Sequence, residues 1–168
     1  MIRVVLDTNV FVSAFLLPGR LNRVVDLVLK KAFVWLISRD ILEEYAAVAS
    51  RPLYRLTEEE LESLLYQVKE RAEWVVVRSN VSVIKPDPTV DKFLACAIDG
   101  RADRIVTGDR HLLRVKEFRG IRIILPPNFL RSFGKWGRSR GVDWKFLYRK
   151  IDVSYNRRFP SDGRGGVG

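Results

Sequence analysis

Short runs of consecutive apolar residues, alternating with helix-forming segments, are the feature of this sequence that most restricts its fold. The runs are four or five residues long and rich in Val, Ile and Leu, as in residues 33–37 and 74–77. Strands that lack a polar face are buried on both sides, which is typical of parallel sheets covered by helices. The alternation predicts an α/β protein, a three-layer α/β/α sandwich around a mainly parallel sheet of four or five strands joined by right-handed crossovers.

Helix-start signals between these runs define the predicted helices. Ser38 is placed as an N-cap, Thr57 and Glu60 form a capping box, and Asp87 caps a helix whose first residue is a proline. The predicted elements in chain order are a strand over residues 2–6, a helix over 20–32, a strand over 33–37, helices over 38–50 and 57–73, a strand over 74–77, a helix over 87–98, a strand over 104–107, a short helix over 110–116 and a strand over 121–125.

Charge is distributed unevenly along the chain, whose net charge is +10. Residues 131–168 contain ten Lys or Arg and three Asp or Glu and so carry +7, whereas residues 1–130 carry only +3. A basic balance favours polyanions such as RNA, DNA or an anionic membrane, and the alternative is a charged surface that only keeps the protein soluble. The pattern divides the chain into a domain over residues 1–130 and a basic, aromatic extension over residues 131–168, whose glycine-rich end is expected to be flexible.

The first residues and the cysteine count bear on location. Residues 1–10 enter an apolar strand directly, without the basic and hydrophobic regions of an export signal. No apolar run approaches the roughly 20 residues that are needed to cross a bilayer. Cys96 is the only cysteine, so the chain cannot form an internal disulfide, which suits a reducing compartment. These features predict a cytoplasmic protein that does not enter a membrane.

Two acidic residues follow predicted strands at their carboxyl ends, where open parallel sheets bind their ligands. Asp7 comes directly after the first strand, and Asp109 follows the fourth strand after one glycine. Aspartate is also a favoured N-cap residue, so for each of them a structural role and a catalytic role are both open.

Helical spacing selects two further acidic residues. In the second predicted helix, Glu44 lies on the margin of the apolar stripe, whereas Glu43 points nearly opposite and follows Arg39 by four residues, the spacing of an exposed ion pair. In the fourth predicted helix, Asp91 lies on the margin of the apolar stripe and Lys92 faces away. Glu44 and Asp91 are therefore expected near Asp7 and Asp109, the two acids at the edge of the sheet.

Four carboxylates at one edge of a sheet repel one another unless a cation neutralises them. Mg²⁺ prefers carboxylate and water oxygens, and in phosphodiester hydrolysis it activates water and stabilises the charge of the phosphate. His111, expected on a helix surface, is the only histidine, which excludes a ribonuclease built on two histidines. The sequence also contains no Cys/His zinc site, Walker loop or GxSxG motif. These residues favour a metal-dependent phosphodiesterase.

The order of three segments resembles the PIN domain family. They are LDTNVFVSAFL, ILEEYAAVASRP and DPTVDKFLACAIDGRADRIVTGDRHLL, and the resemblance covers about residues 1–130. Within the family, the chain is similar to the VapC-like ribonucleases, the toxins of toxin–antitoxin systems. The resemblance implies a three-layer α/β/α fold and cleavage of single-stranded RNA with Mg²⁺ or Mn²⁺. It also implies a homodimer and an antitoxin protein that blocks the site.

The resemblance further implies roles for individual residues. The amide and hydroxyl residues of the family match Asn9 and Thr107, which are implied to orient carboxylates or metal-bound water. The catalytic and metal-binding acids of the family match Asp7, Glu44, Asp91 and Asp109.

The extension departs from the family pattern, in which the chain ends soon after the fifth strand. Its basic and aromatic side chains suit contact with an RNA backbone and stacking of bases. The alternative is that the aromatic side chains pack on the domain or on a second subunit, and the two roles can coexist. The candidate RNA contacts are Arg110, beside the acids, and in the extension Lys135, Arg138 and Arg140.

Three functions remain open on the sequence. The first is a toxin-type endoribonuclease that a partner silences, and the second is a housekeeping PIN nuclease in RNA maturation or decay, with the extension as its substrate arm. The third is a non-catalytic RNA-binding module that keeps the fold, and the complete set of acids argues against it. A small antitoxin gene beside this one would favour the first over the second.

Overall fold

A single six-stranded sheet organises the protein, in a computed structural model that describes residues 1–134. The strand order is β3-β2-β1-β4-β6-β5, and every pairing is parallel except that of β5 with β6. The predicted mainly parallel sheet is therefore confirmed, with six strands instead of four or five. The strands are β1 (Arg3–Leu6), β2 (Val34–Ile37), β3 (Glu73–Trp74), β4 (Arg104–Val106), β5 (Glu117–Phe118) and β6 (Ile121–Ile124).

Helices connect the strands, and the predicted caps are present. Ser38 accepts a hydrogen bond from the backbone N–H of Ile41, and Thr57 and Glu60 form the capping box. No helix within residues 1–134 is long and apolar enough to cross a membrane. The helices in this range are α1 (Thr8–Phe15), α2 (Asn22–Leu29), α3 (Arg39–Ala49), α4 (Glu58–Arg71), α5 (Asp91–Asp99), α6 (Arg110–Val115) and α7 (Pro126–Arg131), with 3-10 turns at Pro52–Tyr54 and Pro88–Val90.

Neighbouring residues of β2 show that helices cover both faces of the sheet. Trp35 lies against Phe11 of α1 and Tyr45 of α3, with 6.3 Å between ring centroids in both cases. Leu36 points to the opposite face because side chains alternate along a strand, and there its Cδ1 approaches Gly100 at the end of α5. The predicted three-layer sandwich is thus confirmed.

A stack of aromatic rings connects α1 and α3 to the end of β1. The rings of Phe11 and Tyr45 are nearly parallel, with centroids 4.0 Å apart and an interplanar angle of 4°. The Tyr45 hydroxyl donates a hydrogen bond to the Leu6 carbonyl oxygen at 2.5 Å. Burial raises the pKa of Tyr45 well above its usual value, so the hydroxyl stays protonated and remains a donor. This contact fixes the backbone one residue before Asp7.

Strand β3 is shorter than predicted, because its neighbour β2 provides no further partner. The last ladder bond runs from the Val75 amide to the Ile37 carbonyl oxygen at 2.8 Å, where β2 ends. The following amides of Arg78 and Ser79 instead donate to a carboxylate oxygen of Asp99, on α5, at 2.6 and 2.8 Å. The apolar residues after β3 therefore belong to a loop that is fastened to α5.

The β5–β6 hairpin and helix α7 were not predicted from the sequence. Arg119 and Gly120 connect the hairpin strands with φ values of 51° and 82°, the left-handed region that both central residues of a type I′ turn require. A strand of two residues is too short to show an alternating pattern. Helix α7 starts at Pro126, which suits the first position of a helix because proline has no N–H to leave unpaired there.

The connections of the sheet create a crevice between β1 and β4. The chain leaves β1 toward β2 and leaves β4 toward β6, so the two connections diverge. Open α/β sheets bind ligands at such a switch point, outside the carboxyl ends of the strands. The Asp7 amide still donates to the Val106 carbonyl oxygen at 3.0 Å, which holds the two strand ends together at this crevice.

Gly100 is a position where the packing of α5 on the sheet leaves no room for a side chain. A Cβ there would lie 2.8 Å from the Cys96 carbonyl oxygen, 2.9 Å from Cγ2 of Val75 and 3.0 Å from Cδ1 of Leu36. We expect Gly100→Ala to lower the free energy of unfolding by about 1–3 kcal/mol, as overpacking does. Urea unfolding measures this change.

The control for this substitution is Gly108→Ala, because a Cβ on Gly108 meets no heavy atom within 4 Å. The control should change the free energy of unfolding by about 0.5 kcal/mol or less. Equal stability of the Gly100→Ala protein and the wild type would contradict the close packing described for α5.

Candidate active site

Asp7 is buried at the carboxyl end of the central strand β1, with only 4% of its surface exposed. The Thr107 hydroxyl donates a hydrogen bond to Asp7 Oδ2 at 2.5 Å. Asp7 occupies the N-cap position of α1, but its side chain makes no capping hydrogen bond. The structural alternative for Asp7, a helix cap, is therefore wrong.

The electrostatic surroundings of Asp7 bring in two of the other predicted acids. Burial raises the pKa of Asp7 above its usual value, although hydrogen bonds from Thr107 and the Thr8 amide act in the opposite direction. The negative charges of Asp109 and Glu44 raise the pKa further. Three carboxylates therefore share one neighbourhood, and a cation among them would stabilise all three charged forms. Carboxylate and hydroxyl oxygens are donors that suit a hard divalent ion.

Asp109 caps helix α6 and is held next to Asp7. Its Oδ1 accepts hydrogen bonds from the amides of His111 at 2.8 Å and Leu112 at 3.1 Å, so the capping role is confirmed for this residue. The Thr107 hydroxyl oxygen also accepts a hydrogen bond from the Asp109 amide at 2.9 Å. Within residues 1–134, Asp109 Oδ2 receives no hydrogen bond, so one oxygen of an oriented carboxylate is available to a ligand.

Glu44 lies half-buried on α3, and both of its carboxylate oxygens have protein partners. The Thr8 hydroxyl donates to Oε1 at 2.7 Å, and the Lys92 ammonium pairs with Oε2. The prediction that Lys92 faces away is therefore wrong. The reason is that α5 is buried on more than its apolar stripe, since Ala95 and Cys96, which lie three and four residues after Lys92 on the same side of the helix, are buried as well.

Glu43 and Arg39 lie on the exposed side of α3, as predicted. The Arg39 Nε is 3.0 Å from Glu43 Oε1, and the two side chains are 81% and 63% exposed. The spacing argument thus separated the exposed Glu43 from the half-buried Glu44 correctly.

Asp91 is buried with 7% of its surface exposed, and it binds the loop before α5. Its Oδ1 accepts hydrogen bonds from the amides of Val83 at 3.1 Å and Ile84 at 3.0 Å. Among the residues that the structure describes, no three Asp, Glu, His or Cys side chains are arranged to hold one metal ion. The expected group of four carboxylates is not formed in this arrangement, because loop amides bind Asp91 and Lys92 binds Glu44. A metal-binding role for Asp91 and Glu44 stays a prediction.

The remaining predicted site residues are exposed or lie beyond the described range. Asn9 is exposed on α1, and it is the preceding residue, Thr8, whose side chain contacts a carboxylate of the site. Sequence reasoning missed Thr8, although a hydroxyl directly after the first acid was an available signal. Arg110 is exposed at the start of α6. The candidate contacts that lie outside residues 1–134 are Lys135, Arg138 and Arg140.

Asp87 caps the 3-10 turn before α5. Its carboxylate accepts hydrogen bonds from the hydroxyl and the amide of Thr89, at 2.5 and 3.2 Å. The hydroxyl contact is the main cause that lowers the pKa of Asp87, and the charges of His111 and Lys92 contribute. The predicted cap is confirmed, and half-buried His111 is near enough to Asp87 for its charge to act on that carboxylate.

Comparisons with known proteins agree with this architecture. The sequence pattern of the PIN domain matches residues 3–111, from β1 to the start of α6. The chain is also 26% identical over 147 residues to an uncharacterized protein of Methanocaldococcus jannaschii, MJ1680, and the match covers 80% of this chain and 94% of that relative. PIN domains are in general nucleases and typically use divalent metal ions. This chain belongs to the PIN domain family.

Proposed function

We propose that this protein is a metal-dependent endoribonuclease that hydrolyses phosphodiester bonds of single-stranded RNA. The observation that carries the proposal is the pair Asp7 and Asp109, which follow the adjacent strands β1 and β4 at the switch point. The Thr107 hydroxyl connects them, because it donates to the Asp7 carboxylate and accepts from the Asp109 amide. Membership of the PIN domain family supports nuclease chemistry, and the net charge of +10 supports a polyanionic substrate.

Asp7 and Asp109 are the residues that would hold Mg²⁺ or Mn²⁺, because the charge of Asp109 acts on Asp7, both residues contact Thr107, and Asp109 Oδ2 is available to a ligand. Both oxygens of the neighbouring Glu44 are already bonded, and the carboxylates whose charges raise the pKa of Asp7 are Asp109 and Glu44, not Asp91. When bound, the ion supplies an activated water and stabilises the negative charge that develops on the phosphate.

The other side chains of the site would position these two acids. The Thr107 hydroxyl orients Asp7, and the amides at the start of α6 orient Asp109. A carboxylate that is fixed before the substrate arrives needs little rearrangement during the reaction, which is the source of electrostatic catalysis. The exposed Arg110, next to Asp109, would contact a phosphate of the RNA.

The biological role that we propose is that of the toxin in a toxin–antitoxin pair. The resemblance to VapC-like ribonucleases supports this role, which would entail a homodimer, an antitoxin partner and a cytoplasmic location. The second candidate is a housekeeping nuclease of RNA maturation or decay. The basic extension favours it, because residues 131–168 carry +7 and would serve as a substrate arm. Growth arrest on expression, relieved by a protein from an adjacent gene, would support the toxin.

The substrate class is tested with three fluorescent substrates of one sequence: single-stranded RNA, the RNA duplex and single-stranded DNA. Purified full-length protein should cleave the single-stranded RNA in Mg²⁺ or Mn²⁺ at internal positions and leave the other two intact. Preferred cleavage of the DNA or the duplex would contradict the proposed substrate.

The extension is expected to increase RNA affinity in a salt-dependent way. Removing residues 135–168 deletes nine Lys or Arg. Each phosphate contact that is lost should reduce the slope of log K against log salt concentration by about 0.7 for a single strand. The measurement is fluorescence anisotropy over a salt series, with Asp7→Asn proteins so that no RNA is cleaved. An unchanged slope after truncation would support the alternative, in which the extension only packs on protein.

A further inference from the structure

A lysine ammonium lies inside this acidic site. Lys92 pairs with Oε2 of Glu44, and the two side chains are 25% and 28% exposed. The Thr8 hydroxyl donates to the other oxygen of Glu44 at 2.7 Å. Glu44 therefore has its own cation and its own hydrogen-bond donor, both supplied by the chain.

The Lys92–Glu44 pair differs from an ordinary surface ion pair. Exposed pairs contribute at most about 1 kcal/mol and exchange partners easily. The Arg39–Glu43 pair on the same helix is of that kind, since its side chains are 81% and 63% exposed. The half-buried pair is screened less by solvent, and Thr8 fixes the position of its carboxylate.

The backbone next to Lys92 is also held in place. The preceding residue, Asp91, is buried and accepts the amides of Val83 and Ile84, which fastens the first turn of α5 to the loop before it. Lys92 thus extends from an anchored turn toward Glu44. Asp87 lies near enough for the lysine charge to act on it, so the ammonium has a second carboxylate in its surroundings.

We propose that Lys92 is a positioning residue that supplies a permanent cation to Glu44, in the place that a second metal ion would otherwise take. The inference rests on the proposed metal-dependent function and specifies how many ions the site holds. One divalent ion binds at Asp7 and Asp109, and Glu44 is not its direct ligand. The charges agree with this assignment, because one ammonium and one divalent ion balance the three carboxylates.

The test is the number of Mn²⁺ ions that the full chain binds, measured by isothermal titration calorimetry and by electron paramagnetic resonance of free Mn²⁺. We expect one ion per wild-type chain. In Lys92→Met, which removes the charge and keeps the length, a second ion should bind or the affinity for the first should rise about tenfold, because a nearby positive charge is lost. Lys92→Arg keeps the charge and should still bind one ion. Two ions in the wild type, or identical binding by Lys92→Met and the wild type, would overturn the proposal.

A second variant tests Glu44 directly, in case Lys92→Met does not fold. Glu44→Gln keeps an oxygen for the Thr8 hydroxyl and should weaken Mn²⁺ binding only about tenfold, because a nearby negative charge is lost, while Asp7→Asn should lose about a hundredfold or more. Glu43→Gln, on the exposed side of the same helix, is the matched control and should change nothing. A loss in Glu44→Gln as large as that in Asp7→Asn would overturn the proposal, because Glu44 would then be a direct ligand.

The Mn²⁺ titration of the wild type also distinguishes failure of the Lys92 proposal from failure of the proposed function. Failure of the wild type to bind Mn²⁺ at millimolar concentration would contradict the metal-dependent function itself, and the lysine proposal would fall with it. Binding of two ions by the wild type would contradict only the role of Lys92 and leave metal-dependent cleavage in place.

Discussion

Asparagine in place of Asp7 is expected to lower the rate of RNA cleavage by about a thousandfold or more, while the protein stays folded. The substitution removes the buried carboxylate that would hold the ion, and metal ions supply several kcal/mol of transition-state stabilisation. The amide oxygen of asparagine can still accept the hydrogen bond from Thr107, so the local structure has a replacement contact. The measurements are the cleavage rate at saturating RNA and the RNA affinity of the wild type and Asp7→Asn proteins. A lower rate with unchanged affinity shows that only the chemical step is lost.

The same substitution is expected to raise the melting temperature at neutral pH in buffer with EDTA. Burial raises the pKa of Asp7, and the charges of Asp109 and Glu44 add to this. The native state therefore holds the proton more tightly than the unfolded chain does. The stability that Asp7 provides is fully present below its unfolded pKa of about 3.9 and is lost as pH rises through the higher folded pKa.

The advantage of the Asp7→Asn protein should accordingly appear above about pH 4 and grow toward neutral pH. Thermal melting curves of both proteins over this pH range measure it. A lower melting temperature for Asp7→Asn than for the wild type at neutral pH would mean that the ionised carboxylate stabilises the fold.

Alanine in place of Asp91 is expected to have the opposite effect on stability, a loss of about 2–4 kcal/mol. Asp91 Oδ1 is the acceptor for the amides of Val83 and Ile84, and Ile84 is buried. A buried amide without a partner costs about 1–3 kcal/mol, which applies to Ile84. The amide of the exposed Val83 can bind water instead, so it adds only the net value of one hydrogen bond, about 1 kcal/mol. Urea unfolding monitored by circular dichroism measures the loss. Wild-type stability in Asp91→Ala would contradict the loop contact.

Asparagine at position 91 separates this structural role from a catalytic one. Its amide oxygen can accept the same two hydrogen bonds, so Asp91→Asn should lose about 1 kcal/mol or less. Because the proposed metal ion is held by Asp7 and Asp109, and asparagine keeps the loop contacts of Asp91, we expect cleavage within about tenfold of the wild-type rate. Loss of cleavage without loss of stability would show instead that the carboxylate reaches the metal ion, as the resemblance to the family implies.

The layered fold and two of the acids followed from local patterns because both depend on chain order. Apolar runs without a polar face indicated buried parallel strands, and residues directly after such strands must lie at the carboxyl edge of the sheet. Asp7 and Asp109 therefore could be placed there before their neighbours were known. Glu44 followed from helical spacing because α3 is a regular helix that starts where Ser38 predicts.

The environments of Asp91 and Lys92 could not be predicted in the same way. The apolar stripe of α5 predicted one buried side, but Ala95 and Cys96, on the side of Lys92, are buried too, so this side of the helix also faces protein. Asp91 binds a loop whose course depends on contacts distant in sequence, including the two amides that donate to Asp99. Periodicity within one segment contains no information about either effect.

The two shortest strands were missed or misplaced for a related reason. The length of β3 is set by where β2 ends, and β5 exists because a two-residue turn folds it back on β6. Both depend on a pairing partner, which a window of sequence does not contain.

Metal-dependent ribonuclease activity is tested most directly by incubating fluorescent single-stranded RNA with the purified wild type and Asp7→Asn proteins, each in Mg²⁺, in Mn²⁺ and in EDTA. We predict that the wild type cleaves the RNA with either ion, stops in EDTA and recovers when the ion is restored, while Asp7→Asn does not cleave under any of these conditions. Equal cleavage by the two proteins, or undiminished cleavage by the wild type in EDTA, would contradict a metal site at Asp7.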